Sequence, residues 1–558
     1  MISYTNSLFT GVDFVSKREK IFLLSSIFLA IITVFCTFFL HDIPLRDVAH
    51  RYAPMAEAFA AGDIQHAFHL RVPVLHTVTS GIAAFITNCD GFTASKLSSA
   101  FWYFIGMFIL YKLVRLLVPD DRRMALWSLV LYAVFPCAVQ MASSGLRESA
   151  KTAFLLLSAL SLVRIYSDSR NIANYILLGI ACGLGLLIKV DTIITSLIVL
   201  ALAAFIESGN RKFPLMTAVS GAIAMLLSLP SVLINFSIFK IAAWDWKFAA
   251  PFFRYFNRFP DMSDFFVSCL TIGLLFIVSG WILKKICQKI SVRHLFFTAV
   301  AALAVSVIFC SLYFGATCRE TAEFALAFAK GFYSFAGLFI LLCITVKIRN
   351  QKMSETEYIV LTLCVVNAAA NTLPVLLFEK RLWVSERYLL SAMPLLFGFF
   401  ICGINDLENF IGRYIGKKRS FAVLVISVSA IGTAMLCHTF QPFIRDRFKT
   451  KHIVQRKNIL HLKELLKTNH TSLPRVPQIK KDPAVYHSNR APKVYFTSDN
   501  KISVAAYLAG GSRTCDITDA DYIISDEINA AVPENLHISN IGNIQGYKKT
   551  FRVWRVDK

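Results

Sequence analysis

The chain has 558 residues, of which 56% are hydrophobic and 17% charged, with a mean hydropathy of +0.57 and a formal net charge of +23. That composition excludes a soluble globular protein, and basic residues spread over many short loops speak against a nucleic-acid surface. The 13 cysteines include no CxxC pair and no Cys/His cluster at zinc spacing, so they give no metal site.

A bilayer core needs about 20 apolar residues per helix. Runs near that length recur about thirteen times, at 21–40, 97–118, 124–142, 150–167, 173–188, 191–206, 214–236, 265–283, 295–315, 331–347, 357–378, 388–404 and 420–438. The pair at 173–206 is close enough to be misread as one span. The first run is too long for the apolar part of a signal peptide, and no small-residue cleavage site follows it. Lys17, Arg18 and Lys20 place the N-terminus in the cytoplasm by the positive-inside rule. Alternation then puts the basic loops at Arg122/Arg123, Arg164/Arg170, Arg211/Lys212, Lys284/Lys285, Lys347/Arg349 and Lys417/Lys418 inside as well. An odd span count leaves the tail outside. The expected architecture is an α-helical polytopic membrane domain, residues 1–439, followed by a small C-terminal α/β soluble domain, residues 440–558, on the outer side of the inner membrane.

The first outer loop, residues 41–93, is the largest polar interruption among the early spans. It opens with Asp47 and continues through Arg51 and Tyr52 into a short amphipathic segment, where Tyr52, Met55, Ala56 and Phe59 recur at three- and four-residue spacing. That spacing predicts a helix lying on the membrane surface. A Gly-Asp turn at Gly62 and Asp63 follows. The apolar segment 74–86 is too short to span and reads as interfacial or re-entrant. Further outer basic residues stand at Arg71, Arg147, Lys189, Lys247, Arg254, Lys380, Arg381 and Arg387. Each alone reads as a snorkelling or ion-paired side chain. As a set facing one compartment they suggest an anion site. The aromatic loop 241–263 reads as an interface anchor, with a sugar-stacking wall or an acyl-chain clamp as alternatives.

Past the last span the pattern changes. HIVQRKNILHLKELLKT reads as an amphipathic helix, KVYFTSD as a strand, ISVAAYLAG as a helix, and DADYIISDE and TFRVWRV as two more strands. No GxGxxG, Walker loop or GxSxG occurs in this tail, so it reads as accessory.

Five segments, RDVAHRY, GDIQHAFHLRVPVLH, GLRESAKTAFLLLSALSLVR, GIACGLGLLIKVDTIITSLIVLAL and ERYLLSAMPLL, carry a resemblance. The chain resembles the GT-C superfamily of membrane glycosyltransferases, in particular the protein O-mannosyltransferases and the lipid A aminoarabinose transferases. The resemblance implies about 13 transmembrane helices, an outer C-terminal domain, a sugar-phosphate polyprenol as donor and a hydroxyl-bearing lipid, glycan or protein as acceptor. These families often carry Asp-Glu in the first loop, whereas here Val48 follows Asp47. The missing carboxylate argues against a strict metal set, so no cofactor and no metal ligand is assigned, with a divalent metal as the open alternative.

Moving a sugar from a lipid phosphate to a hydroxyl needs a base at the acceptor and cations on the departing phosphate. Asp47 is the candidate base, its structural alternative being a helix cap or a partner of Arg46 or Arg51. Arg147, Lys189 and Arg387 are the candidate phosphate ligands, each at an outer span end. Arg51, Tyr52, His69, Arg71, Glu148 and Tyr388 are candidate substrate contacts, with Glu148 alternatively orienting Arg147 or Lys151. His66, His69 and His76 read as loop polar contacts. Polyprenyl-phosphate-linked sugar, a hydroxyl acceptor and membrane lipids are the expected partners, with no nucleic acid. A transporter, a flippase, or a polymerase or ligase of lipid-linked saccharides is the alternative function. The absence of a clear internal repeat and the short late outer loops weigh against it.

Overall fold

The computed structural model describes residues 17–41, 44–45, 47–68, 72, 74–119, 122–189, 192–208, 213–245, 262–286, 290–313, 344–348, 353–379, 391–402, 413, 416, 432–437, 440–441, 493–496, 512–513, 522–525, 537–545 and 550–557. The predicted ranges 331–347 and 420–438 fall largely outside these residues, while 388–404 is described over 391–402, where Met393–Cys402 is a short apolar helix.

Helix α1, Lys17–Leu40, is followed by a loop-one assembly of a π-helical turn, Val48–Tyr52, with α2, Ala53–Ala60, α3, Ile64–Ala67, and α4, Val74–Thr87. The bundle continues with α5, Gly91–Leu117, α6, Arg122–Val134, α7, Pro136–Ser144, α8, Glu148–Ser167, α9, Ile172–Ile188, and α10, Thr192–Glu207. Helices α11, Leu215–Asp245, α12, Met262–Ile286, α13, Val292–Tyr313, and α14, Glu355–Glu379, follow. Among the described residues, Glu19–Leu40, Gly91–Leu117 and Glu148–Ser167 are long and apolar enough to cross a bilayer, while α4, α9 and α10 are shorter apolar helices.

Two expectations are corrected. The run at 124–142 is not one straight helix, because α6 and α7 meet at 56° across Phe135. Pro136 sits in the first turn of α7, where its missing N–H costs nothing, and it drives Phe135 into an extended conformation that ends α6. The amphipathic segment of loop one does not lie on the membrane with its apolar side in lipid. Tyr52, Met55 and Ala56 are buried in the protein, and α2 packs on α4 and α5. Protein satisfies the apolar face first.

Helix α8 is the hub, packed against α5, α9, α10 and α14. Helices α9 and α11 approach so closely that a Cβ on Gly179 would lie 2.7 Å from the Ser220 carbonyl oxygen, and one on Gly183 would lie 2.9 Å from that of Ala224. This is small-residue helix packing, spaced four residues apart, which substitutes for a hydrophobic driving force inside a bilayer. Ser220 Oγ donates to the Tyr175 carbonyl at 2.7 Å across the same interface. At the start of α14, Ser354 and Glu357 form a reciprocal capping box, joined by Lys347 at 2.5 Å.

The tail residues build a five-stranded mixed sheet in the order β2-β1-β3-β5-β4, from β1, Lys493–Phe496, β2, Ser512–Arg513, β3, Tyr522–Ser525, β4, His537–Gln545, and β5, Thr550–Asp557. Strand β1 is parallel to β2 and β3, while β5 is antiparallel to β3 and β4. The three predicted strands are β1, β3 and β5. The two helices predicted for the tail lie outside the described residues.

Candidate functional site

The site starts where α1 ends. Lys96, on α5, is 4% exposed, and its Nζ donates to the carbonyls of Phe38 at 2.7 Å and His41 at 3.0 Å. It also lies over the Phe38 ring at 3.9 Å and the Phe92 ring at 4.6 Å. A cation on the last carbonyls of a helix satisfies acceptors that have no partner within the helix and meets the negative end of its dipole. Lys96 therefore fixes the exit of the chain into loop one. The predicted span begins at residue 97, one position after Lys96, so the apolar run leaves this lysine outside the helix that carries it.

Asp47 stands half-buried at the start of the π turn, and its side chain makes no cap hydrogen bond there, so the helix-cap alternative does not hold. The turn is wide because Pro54, at the start of α2, supplies no N–H to the ladder, and the Ala53 N–H bonds to the Val48 carbonyl instead. Arg51 is half-buried on the same turn, and Tyr52 is 4% exposed at its end. Glu57, another loop-one carboxylate, has Oε1 accepting from the Gly91 N–H at 2.9 Å where α5 begins. His66 is a loop contact as expected, bonded to Asp63 at 2.8 Å.

The second part of the site is the tripeptide between α7 and α8. Gly145 has a φ of +76°, the left-handed conformation that ends α7 without a side-chain penalty. A Cβ there would lie 3.2 Å from Ser95 Cβ and 3.3 Å from Val48 Cγ1. The turn therefore sits against the residue next to Asp47. Leu146 is 2% exposed and belongs to the apolar cluster of Val48, Ala49, Tyr52, Met55 and Phe92. Its carbonyl accepts from Ser99 Oγ at 2.6 Å. Arg147 is then placed over the Tyr52 ring, 5.6 Å from its centroid, with Nη1 3.4 Å from the Ile188 carbonyl oxygen.

That carbonyl leads to the third part. Lys189 is the C-terminal cap of α9, 8% exposed, in an extended conformation. Its own carbonyl accepts from Thr192 Oγ1 at 2.6 Å and N–H at 3.1 Å, which starts α10. Two candidate phosphate ligands, 42 positions apart by number (189 less 147), thus occupy one junction. Glu148 opens α8 at 4% exposure, and its Oε2 has no hydrogen-bond partner among the described residues. A carboxylate at the first position complements the α8 dipole. One turn further along α8, a cavity of about 20 Å³, room for a water, is lined by Lys151, Ser158, Thr192, Ser196 and Asn367.

His76 joins the parts. Its Nε2 lies 3.2 Å from the Gly145 carbonyl oxygen and its ring meets Tyr52 in a T-shaped contact at 4.9 Å. A carbonyl only accepts, so Nε2 carries the proton. Burial, and then the Arg147 charge, hold the imidazole down to about 3 against the upward pull of the Gly145 bond. His76 is therefore neutral across the physiological range. His69, Arg71, Arg387 and Tyr388 lie outside the described residues.

Residues 72–235 match the family model of the dolichyl-phosphate-mannose-protein mannosyltransferases, a range that includes His76, the Gly145–Arg147 turn and Lys189. The oligosaccharyltransferase of Archaeoglobus fulgidus, solved with zinc and sulfate, superposes with a TM-score of 0.51 at 12% identity, covering 90% of this chain and 68% of that one. The fold is that of the GT-C glycosyltransferases. Residues 72–235 thus match a family of glycosyltransferases, and the chain shares its fold with a glycosyltransferase. The same archaeal protein tethered to an acceptor peptide gives 0.50 at 12% identity over 90% and 69% of the two chains. ArnT from Cupriavidus metallidurans, bound to undecaprenyl phosphate, gives 0.42 at 10% identity over 95% and 97%. No curated protein matches the chain by sequence.

Proposed function

We propose that this chain is a membrane glycosyltransferase of the GT-C type, moving a sugar from a polyprenyl-phosphate donor to a hydroxyl acceptor at the outer face of the membrane, with inversion at the anomeric carbon. The observation that carries the reading is the meeting of Arg147 and the Ile188–Lys189 segment beside Tyr52, on the turn that Asp47 opens. Two cations at one α9 end exceed the half charge of a helix C-terminus, and the N-terminus of α8 adds backbone donors beside them. An anion matches that junction better than a neutral ligand does.

In this mechanism Asp47 takes the proton of the acceptor hydroxyl as its oxygen attacks the anomeric carbon. The bond from that carbon to the phosphate oxygen breaks, and the polyprenyl phosphate leaves with the electron pair. Arg147 and Lys189, with Arg387 as the third proposed cation, hold the charge that develops there. Arg51, His69, Arg71 and Tyr388 are proposed for the donor and acceptor sugars. The architecture proposed is a catalytic unit at 1–439 with an accessory outer unit at 440–558. A donor held by a lipid tail suits a site at the top of a membrane bundle, and ArnT was solved with such a carrier.

The test is a membrane-fraction assay with a radiolabelled polyprenyl-phosphate sugar pool. Wild-type membranes should move label from the lipid fraction to a hydroxyl-bearing product, and membranes lacking the protein should not. Label that crosses the bilayer while staying on the lipid would make the chain a flippase and overturn the reading.

A further inference from the structure

We infer that His76 is a positioning residue, a neutral hydrogen-bond donor that sets the place of Arg147 relative to the Asp47 turn. The inference rests on the reading that Arg147 holds the donor phosphate, and it adds a residue that neither the family match nor the sequence pattern assigns a role.

Three contacts carry it. The His76 Nε2 proton goes to the carbonyl of Gly145, the residue whose left-handed turn launches Arg147 two positions later. The same ring packs against Tyr52 in a T-shaped contact at 4.9 Å, and the Arg147 guanidinium lies over that Tyr52 ring. Tyr52 in turn closes the π turn that Asp47 opens. One imidazole therefore touches both the backbone that aims the arginine and the ring that receives it. A loop carbonyl bonded only to water would let the turn rotate about its flexible glycine, and an arginine displaced by an ångström loses its aim at a phosphate.

Neutrality is part of the device. The side chain is 1% exposed and stands beside a guanidinium, so a second positive charge there would have no solvent to shield it. Its Nδ1 has no hydrogen-bond partner among the described residues, so the Gly145 bond is the one that fixes its tautomer. A lysine or arginine in its place would supply a donor but would compete with Arg147 for the anion.

The experiment measures binding of undecaprenyl phosphate to the full-length protein in detergent, for wild type, His76→Gln, His76→Phe, Arg147→Ala and the His76→Phe/Arg147→Ala double variant. Gln keeps a donor near the Nε2 position, while Phe keeps the ring against Tyr52 and removes the donor. His76→Phe should weaken binding by about 10- to 100-fold, His76→Gln should restore most of it, and the double variant should bind no worse than Arg147→Ala alone. Melting temperatures of the two His76 variants should agree within a few degrees, which separates aim from folding. Wild-type affinity in His76→Phe, failure of Gln to rescue, or losses that add in the double variant would overturn the inference while leaving the phosphate reading intact. Unchanged binding in Arg147→Ala would overturn both.

Discussion

The guanidinium of Arg147 reaches 3.4 Å from the carbonyl of Ile188, which ties the start of α8 to the end of α9. A cation at the N-terminus of its own helix does nothing for that helix's dipole. The position is explained by what Arg147 reaches, namely Tyr52 from loop one and the backbone that carries Lys189.

Removing either cation should weaken the carrier site. Charge-assisted contacts are worth about 1.5–3 kcal/mol, so Arg147→Ala and Lys189→Ala should each raise the Kd for undecaprenyl phosphate roughly 10- to 150-fold. Titration at fixed low salt would show this. Wild-type affinity in both variants would mean that the two side chains serve only the α9 terminus.

Gly145→Ala tests the turn. The backbone there lies at φ +76°, and the new Cβ would crowd Ser95 and Val48. Left-handed backbone costs a non-glycine residue about 1–2 kcal/mol, so the melting temperature should fall and donor binding should weaken with it. A variant as stable and as tight-binding as wild type would contradict the close fit.

His76 links stability to acid. Its folded pKa is lowered, to about 3, so the unfolded chain binds the proton first as pH falls below the ordinary histidine value. This contribution is complete above about pH 6.5 and is lost progressively as pH falls toward 3, at up to about 1.4 kcal/mol per pH unit. Thermal melts between pH 7.5 and 5 should show a smaller acid loss in His76→Gln than in wild type. Parallel melts would mean that His76 titrates normally.

The proposed sidedness has its own check. His66 is exposed on loop one, so His66→Cys in a cysteine-free background should react with an impermeant maleimide added outside intact cells. Labelling only after the inner face is opened would invert the topology.

Much of this was visible in the apolar runs, since α1, α8, α9 and α10 begin and end within about four residues of the predicted ranges, while α5 begins six residues earlier than its range. The break at Phe135 was missed although Pro136 marks it, because the apolar composition continues across the kink. Strand β4 was missed because its register shifts between Asn540 and Gly542, and the bulge interrupts the alternation that reveals a strand. Asp47, Arg147 and Lys189 stood out as charges at span ends. Lys96 did not, and His76 reads only as a loop polar contact, because their partners are backbone carbonyls 55 and 69 positions away, and residue identity does not encode such contacts. Gly145 and Leu146 read as part of a motif in sequence, and the structure gives each a separate task.

The central claim is that Asp47 is the base of the transfer. General-base catalysis contributes about 10²–10⁴-fold, and Asp47→Asn keeps size and polarity while removing the charge. The decisive measurement is the rate at which reconstituted protein moves radiolabel from a polyprenyl-phosphate sugar pool to acceptor, wild type against Asp47→Asn, with undecaprenyl phosphate binding measured on the same samples. The account predicts a transfer rate lower by about 10²-fold or more with binding unchanged. Near-normal transfer by the Asn variant would place the base elsewhere and contradict the account.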